Sequence, residues 1–166
     1  MTLLRKLGSA LLLALLAAAP LEAAARTPPG WDRMKSLVGA WKGTAEGKPV
    51  SVTYALVSNG TALMETLDGD HDATMITMYT PDGAALLATH YCAAGNQPRM
   101  RATASPDGKS LAFEFVDVSN VAGSSGEVMR RLVVTFIDAE HFDQAWTSRS
   151  PDGKEMTSVF QYTRKR

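Results

Sequence analysis

The sequence predicts an all-β fold, namely an antiparallel up-and-down barrel of ten strands preceded by a short helix. From residue 38 onward, short runs of apolar and β-branched residues alternate with polar ones at a period of two. Turn signals separate the runs, and no helical segment of 10–15 residues intervenes to make parallel βαβ units. Ten short strands expose sheet edges unless the sheet closes, which favours a barrel, with a two-sheet sandwich as the main alternative.

The N-terminus has the pattern of a secretory signal peptide. Arg5 and Lys6 precede an apolar run over residues 11–19, and three alanines at 23–25 provide an A-x-A cleavage site. The apolar run is too short for a good membrane span. We therefore predict a cleaved signal peptide over 1–25 and a single domain over 26–166, without a membrane span and located in the periplasm or outside the cell.

The composition is that of one globular domain that carries no net charge. Lys and Arg number 17, as do Asp and Glu, and apolar residues make up 45%. This balance gives no basic surface for nucleic acid and is unlike a disordered chain. Cys92 is the only cysteine, so no internal disulfide forms and stability must come from the core.

The alternating runs and the turn residues between them give the order of the helix and strands along the chain. Residues 31–37 form the one helical candidate, because Trp31, Met34 and Leu37 share a side. Asn59-Gly60 predicts a tight hairpin, and Pro-Asp-Gly turns recur at 81–83, 106–108 and 151–153. The predicted strands are 39–45, 49–58, 61–67, 74–80, 84–92, 99–105, 110–118, 127–137, 142–149 and 155–163.

A short motif at the start of the first strand supports the barrel. The helical candidate leads into Gly39-Ala40-Trp41, which resembles the opening motif of calycins, the superfamily of lipocalins and fatty-acid-binding proteins. The whole chain resembles exported bacterial lipocalin-like domains of unknown function. The resemblance implies that Trp41 packs across the closed end of the barrel beneath an Arg near the last strand, where this chain has Arg164.

Strand parity places polar residues in otherwise apolar rows. Facing inward, they would form a polar cluster among apolar walls, as small-molecule pockets do. We therefore expect a lumen that binds a small, mostly hydrophobic molecule. The apolar and aromatic candidates are Tyr54, Phe113, Phe115, Trp146 and Phe160, and the polar ones are Glu65, His90, Arg130 and Gln144.

Other readings of these residues stay open. Glu65 and Arg130 could form a buried ion pair that binds nothing. An enzyme could use His90 and Glu65, although no catalytic motif such as Gly-x-Ser-x-Gly or HExxH is present and no catalytic residue is assigned. A filled barrel could instead bind a protein through loops at 96–101 and 121–126.

No cofactor or metal is predicted, with haem bound through His90 as the alternative. The chain resembles nitrobindin-like haem barrels in its size and in Trp41-Lys42-Gly43, but their axial His near the C-terminus has no equivalent after His141. His90 and Cys92 could share a metal, yet zinc-site spacing is absent. The methionines at 64, 75, 78 and 100 are predicted to be core, because copper would require thioethers clustered near a His.

Overall fold

The computed structural model describes residues 27–68, 74–123 and 125–166. The predicted signal peptide and His71 lie outside these ranges. The part that is described contains no helix of the length and hydropathy that crossing a membrane requires.

Ten antiparallel strands form a closed barrel, which confirms the predicted fold. Each strand pairs with the next in the chain, and β10 pairs with β1 to complete the circle. The helix and strands are α1 Trp31–Lys35, β1 Gly39–Ala45, β2 Lys48–Val57, β3 Ala62–Asp68, β4 Met75–Asp82, β5 Ala85–Tyr91, β6 Gln97–Ala104, β7 Ser110–Ser119, β8 Val128–Phe136, β9 His141–Arg149 and β10 Glu155–Arg164. Closure gives each described strand a neighbour on both sides.

The short helix α1 covers one end of the barrel. Trp31, Met34 and Leu37 are buried there against the core. Gly30 precedes the helix with a φ of 87°, and a Cβ at this position would lie 2.3 Å from a methyl group of Leu111. Glycine therefore allows both the left-handed backbone and the close approach of α1 to β7.

Arg164 joins this closed end to the last strand. Its guanidinium lies 4.0 Å from the Trp41 ring, the contact that the resemblance implies. Its three nitrogens donate to the carbonyls of Val38, Ser36 and Ala139 over 2.9–3.1 Å. The Trp41 indole in turn donates to the Leu37 carbonyl at 2.7 Å. One side chain thus ties α1, the β8–β9 turn and β10 together.

The turns are partly those that the sequence predicts. In the turns after β6 and β9, Asp107 and Asp152 accept hydrogen bonds from the preceding serine and from the backbone N–H two residues on. The predicted hairpin at Asn59-Gly60 is confirmed, since Val57 pairs with Ala62 across it. Its connection runs from 58 to 61, one residue longer at each end than the predicted strand bounds leave. Ser58, Asn59 and Gly60 all have positive φ, and the Thr61 N–H donates to the Ser58 carbonyl at 3.2 Å.

Two register shifts change which side chains face inward. In β7, Phe115 lies opposite Met100 and Asp117 lies opposite Arg99, so one extra residue bulges between them. In β8, the shift falls between Met129 and Arg131. A bulge alters the alternation of inward and outward positions, which a strict period of two does not anticipate.

The Arg164 contacts predict a loss of stability when the guanidinium is removed. Arg164→Lys keeps the charge but cannot donate three directed bonds while stacking on the indole. We expect the free energy of unfolding to fall by about 2 kcal/mol, measured by urea denaturation. Arg166→Lys, at a side chain 92% exposed, is the matched control, and equal midpoints for the two variants would contradict this role.

Candidate functional site

Four buried side chains from consecutive strands form a row across the barrel wall. Tyr54 of β2 lies opposite Glu65 of β3, Glu65 opposite Thr77 of β4, and Thr77 opposite His90 of β5. Each is 3% exposed or less. Directly opposed antiparallel neighbours place their side chains close together on one face. The closed register therefore brings a carboxyl, two hydroxyls and an imidazole side by side inside the barrel.

Glu65 lies at the centre of a hydrogen-bonded network. Its Oε2 accepts bonds from the hydroxyls of Tyr54 and Tyr79, both at 2.7 Å, and from Nε2 of Gln144 at 2.8 Å. Burial raises the pKa of Glu65, while the hydrogen bonds it accepts oppose that rise. Three donors from three strands thus satisfy one carboxyl oxygen, and no cation is needed to hold it.

The network continues toward the opposite wall of the barrel. Nε2 of Gln144 also donates to the Tyr54 hydroxyl at 2.9 Å, and the Trp146 indole donates to Oε1 of Gln144 at 3.2 Å. Burial, followed by the nearby Glu65, raises the pKa of both Tyr54 and Tyr79. Both phenols therefore keep their protons, and hydrogen-bonded polar side chains fill this half of the lumen together with aromatic rings.

His90 lies beside this network but is satisfied at one nitrogen only. Its Nδ1 is 2.9 Å from the Thr77 hydroxyl, and its ring centroid is 4.6 Å from that of Trp146. Burial lowers the pKa of His90 to about 4, so the imidazole is neutral near pH 7. Its Nε2 is buried and has no hydrogen-bond partner among the described residues.

The tautomer of His90 decides what its Nε2 offers. Nδ1 and the Thr77 hydroxyl share one hydrogen bond, and either group can supply its proton. Where Nδ1 carries the proton and donates it to Thr77, Nε2 is left with a lone pair. In that tautomer His90 presents an acceptor nitrogen, and Thr77 holds the other side of the ring.

His90 lines a small, mostly apolar cavity at the end of the barrel opposite α1. The cavity volume is about 100 Å³, equivalent to roughly three water molecules at ~30 Å³ each. Ten residues line it: Leu67, Met75, His90, Glu127, Met129, Trp146, Ser148, Met156, Ser158 and Phe160. Met156 is 60% exposed, so the cavity reaches the protein surface on the β10 side.

The structure separates the predicted ligand-binding residues into several groups. His90, Trp146 and Phe160 line the cavity. Tyr54, Glu65 and Gln144 form the network behind it. Phe113 is in the core against Tyr79, with ring centroids 5.4 Å apart. Thr77 lies between His90 and Glu65 in the register, and no hydrogen bond joins the two among the described residues, so the structure shows no direct acid–base pair.

Arg130 and Phe115 require a correction. Arg130 is the extra residue of the β8 bulge, and its guanidinium lies 3.5 Å from the Phe115 ring centroid. Both border a surface depression beside the ion pair of Arg131 and Glu114. Arg130 therefore lies away from Glu65, and the alternative of a buried Glu65–Arg130 pair is wrong, because Tyr54, Tyr79 and Gln144 occupy that role.

Sequence reasoning missed several residues that shape the site. Thr77 and Met75 share the inward face of β4. The alternation of inward and outward residues along this strand could have placed both at the site. Met129 faces the cavity just before the bulge, where parity fails. Of the methionines predicted to be core, Met100 is buried, whereas positions 64 and 78 are paired and half-buried across β3 and β4.

Two expectations about metals and loops also change. Cys92 follows the end of β5, is half-buried and does not line the cavity with His90. In the described ranges, no three His, Cys, Asp or Glu side chains gather in a metal-binding arrangement. Residues 97–101, expected to be part of a loop, belong to β6.

A haem does not fit beside His90 in this arrangement. A porphyrin is several times larger than a cavity of about 100 Å³. The aromatic and methionine side chains around Nε2 occupy the space that its ring would need.

The fold places this protein among closed ten-stranded antiparallel barrels. No protein-family model and no curated protein matches the sequence. The solved structures that resemble it include a protein of unknown function from the DUF3598 family of Nostoc punctiforme PCC 73102, with a TM-score of 0.58 and 14% identity over 80% of this chain and 48% of that chain. This chain thus spans about half the length of that protein.

A second similar structure is that of Rv2717c from M. tuberculosis. It has a TM-score of 0.58 and 14% identity, over 85% of this chain and 100% of that chain. At this identity, both similarities show the fold alone.

The Glu65 network predicts a graded response to substitution. Glu65→Leu leaves three buried donors without an acceptor, and each such loss costs about 1–3 kcal/mol. We expect the free energy of unfolding to fall by at least about 3 kcal/mol, and by about half as much for Glu65→Gln, which keeps an acceptor oxygen. Urea denaturation measures both, with the exposed Thr53→Ala as the control. Equal effects of all three substitutions would contradict the network.

The lowered pKa of His90 predicts a loss of stability in acid. Between pH 6.5 and about 4 the unfolded chain protonates His90 while the folded chain does not, so stability falls as the pH falls through this window. The shift corresponds to about 3 kcal/mol. We expect His90→Gln to lose less stability than the wild type between pH 7 and pH 4 in urea titrations. His141→Gln is the control, and parallel pH profiles for wild type and His90→Gln would contradict the assignment.

Proposed function

We propose that this protein is an exported, lipocalin-like barrel of the calycin type that binds a small, mostly hydrophobic molecule in its lumen. The ligand enters at the end opposite α1 and donates one hydrogen bond to Nε2 of His90. The closed ten-stranded barrel, the helix at one end and the contact between Arg164 and Trp41 support the calycin assignment. The N-terminal sequence of residues 1–25 supports export.

The observation that carries the proposal is the unpartnered Nε2 of His90. A buried polar atom without a partner costs about 1–3 kcal/mol, and such atoms are uncommon in folded proteins. Here His90 lines a cavity, while Nδ1 of its ring is held by Thr77. A mostly apolar wall that also holds His90, Glu127, Ser148 and Ser158 has the usual composition of a small-molecule site.

The cavity also limits the chemistry of the ligand. Its volume is near the scale of an engineered apolar cavity of about 150 Å³ that admits benzene. Met75, Met129 and Met156 can move to enlarge it, because a methionine side chain has three rotatable bonds. A neutral imidazole with a free lone pair accepts a hydrogen bond from a donor group, and it offers no positive charge to an anion. The expected ligand is therefore a compact apolar group bearing a hydroxyl or N–H.

The filled-barrel alternative explains only half of the lumen. The network around Glu65 and the rings of Trp41, Phe142 and Tyr162 fill the end near α1. The opposite end retains the cavity beside His90. The enzyme alternative has less support, since Glu65 is held by three donors and has no direct contact with His90.

Phenol and toluene test the proposal as a matched pair of probes, because they share a ring and differ in the hydroxyl donor. Each is titrated into the protein and followed by NMR shifts of the Trp146 indole N–H and of the β5 amides. We expect phenol to bind about tenfold more tightly than toluene, the value of one hydrogen bond. His90→Leu should abolish the preference while leaving toluene binding in place.

Tyr91→Phe is the control, since Tyr91 neighbours His90 on β5 but is 49% exposed. It should behave as the wild type does. The proposal is overturned if neither probe perturbs the Trp146 region, or if His90→Leu retains the preference for phenol.

A further inference from the structure

The cavity beside His90 gathers soft donor atoms as well as apolar surface. Met75 begins β4, Met129 lies in β8 and Met156 lies near the start of β10. All three line the same small cavity as His90. A copper site in this chain would require thioethers clustered near a His. The barrel brings such a cluster together from four separate strands.

From this juxtaposition we propose that the cavity is a Cu(I) site, in which Nε2 of His90 and the thioethers of Met75, Met129 and Met156 bind the ion. Thioether and imidazole ligands together favour Cu(I), whereas Mg²⁺ and Ca²⁺ require oxygen ligands. The proposal goes beyond small-molecule binding, and it does not depend on it.

His90 has the arrangement that a metal ligand needs. It is 3% exposed, its Nε2 is unpartnered, and its Nδ1 is fixed by Thr77 at 2.9 Å. A ligating imidazole typically hydrogen-bonds through its other nitrogen, which fixes the tautomer and the direction of the lone pair. Thr77 and Glu65 behind it supply this support.

The surrounding side chains suit a soft monovalent ion. Methionine is flexible and polarisable, so three of them can move toward an ion in a space of about 100 Å³. The Trp146 ring, 4.6 Å from His90, offers a π face to a cation from the same cavity wall. The neutral state of the imidazole leaves its lone pair available.

Methionine-to-leucine substitutions test the metal site, because leucine keeps the wall apolar and removes the sulfur. The probe is Cu(I) alone, kept reduced with ascorbate without oxygen and titrated against the chelator bicinchoninate. We expect one Cu(I) per chain in the wild type and an affinity at least 100-fold weaker in the triple variant Met75→Leu/Met129→Leu/Met156→Leu. The urea midpoint of that variant shows whether it is folded, since leucine replaces methionine at similar volume.

Two control proteins exclude other sulfur ligands. Cys92→Ser removes the single thiol, and Met64→Leu/Met78→Leu removes two thioethers outside the cavity; both should bind Cu(I) as the wild type does. If the triple variant does not fold, each single Met→Leu variant should weaken Cu(I) binding about tenfold. X-ray absorption at the copper edge should show sulfur and nitrogen ligands in the Cys92→Ser protein.

The inference is overturned if the wild type takes no Cu(I) from the chelator. It is equally overturned if all the methionine variants retain full affinity, or if Cys92→Ser loses it. A wild type that binds phenol but not Cu(I) would remove this inference only. Methionine-dependent Cu(I) binding without any preference for phenol would instead remove the proposed function only.

Discussion

The buried carboxyl group of Glu65 is the interaction on which the interior of the barrel depends. A carboxyl removed from water must be hydrogen-bonded, because burying it without partners would offset a large part of the free energy of unfolding of the domain. Tyr54, Tyr79 and Gln144 provide its donors from β2, β4 and β9. These strands lie on different sides of the barrel, so the carboxyl fixes the distance between opposite walls as well as the local register.

This network divides the lumen into two parts. On the side of α1, aromatic rings and the Arg164 contacts fill and close the barrel. On the other side, Thr77 lies between Glu65 and His90 in the register and holds Nδ1 of the imidazole, whose Nε2 is buried without a partner among the described residues. The polar core thus fixes the orientation of His90 at the cavity wall.

The fold could be predicted from the sequence because the two signals that indicate it are local. They are the alternation of apolar and polar residues and the turn residues between the strands. Closure of ten consecutive strands then follows from the need to pair every edge. His90, Trp146 and Phe160 were predictable at the cavity by the same parity. Arg130 and Met129 were not, since the bulge between Met129 and Arg131 depends on how β8 fits β9. The partners of Glu65 also come from residues up to 79 positions away, which no local pattern specifies.

The methionines explain how one cavity can suit two kinds of occupant. Their methylene groups give walls that accept an apolar molecule, and their sulfur atoms give soft ligands to a metal ion. Both occupants would use the same nitrogen of His90, so they would compete and could not bind together. Leucine at positions 75, 129 and 156 would keep the walls apolar and remove the sulfur ligands. Methionine at all three positions therefore indicates what kind of ligand the cavity binds, whereas the volume of the cavity does not.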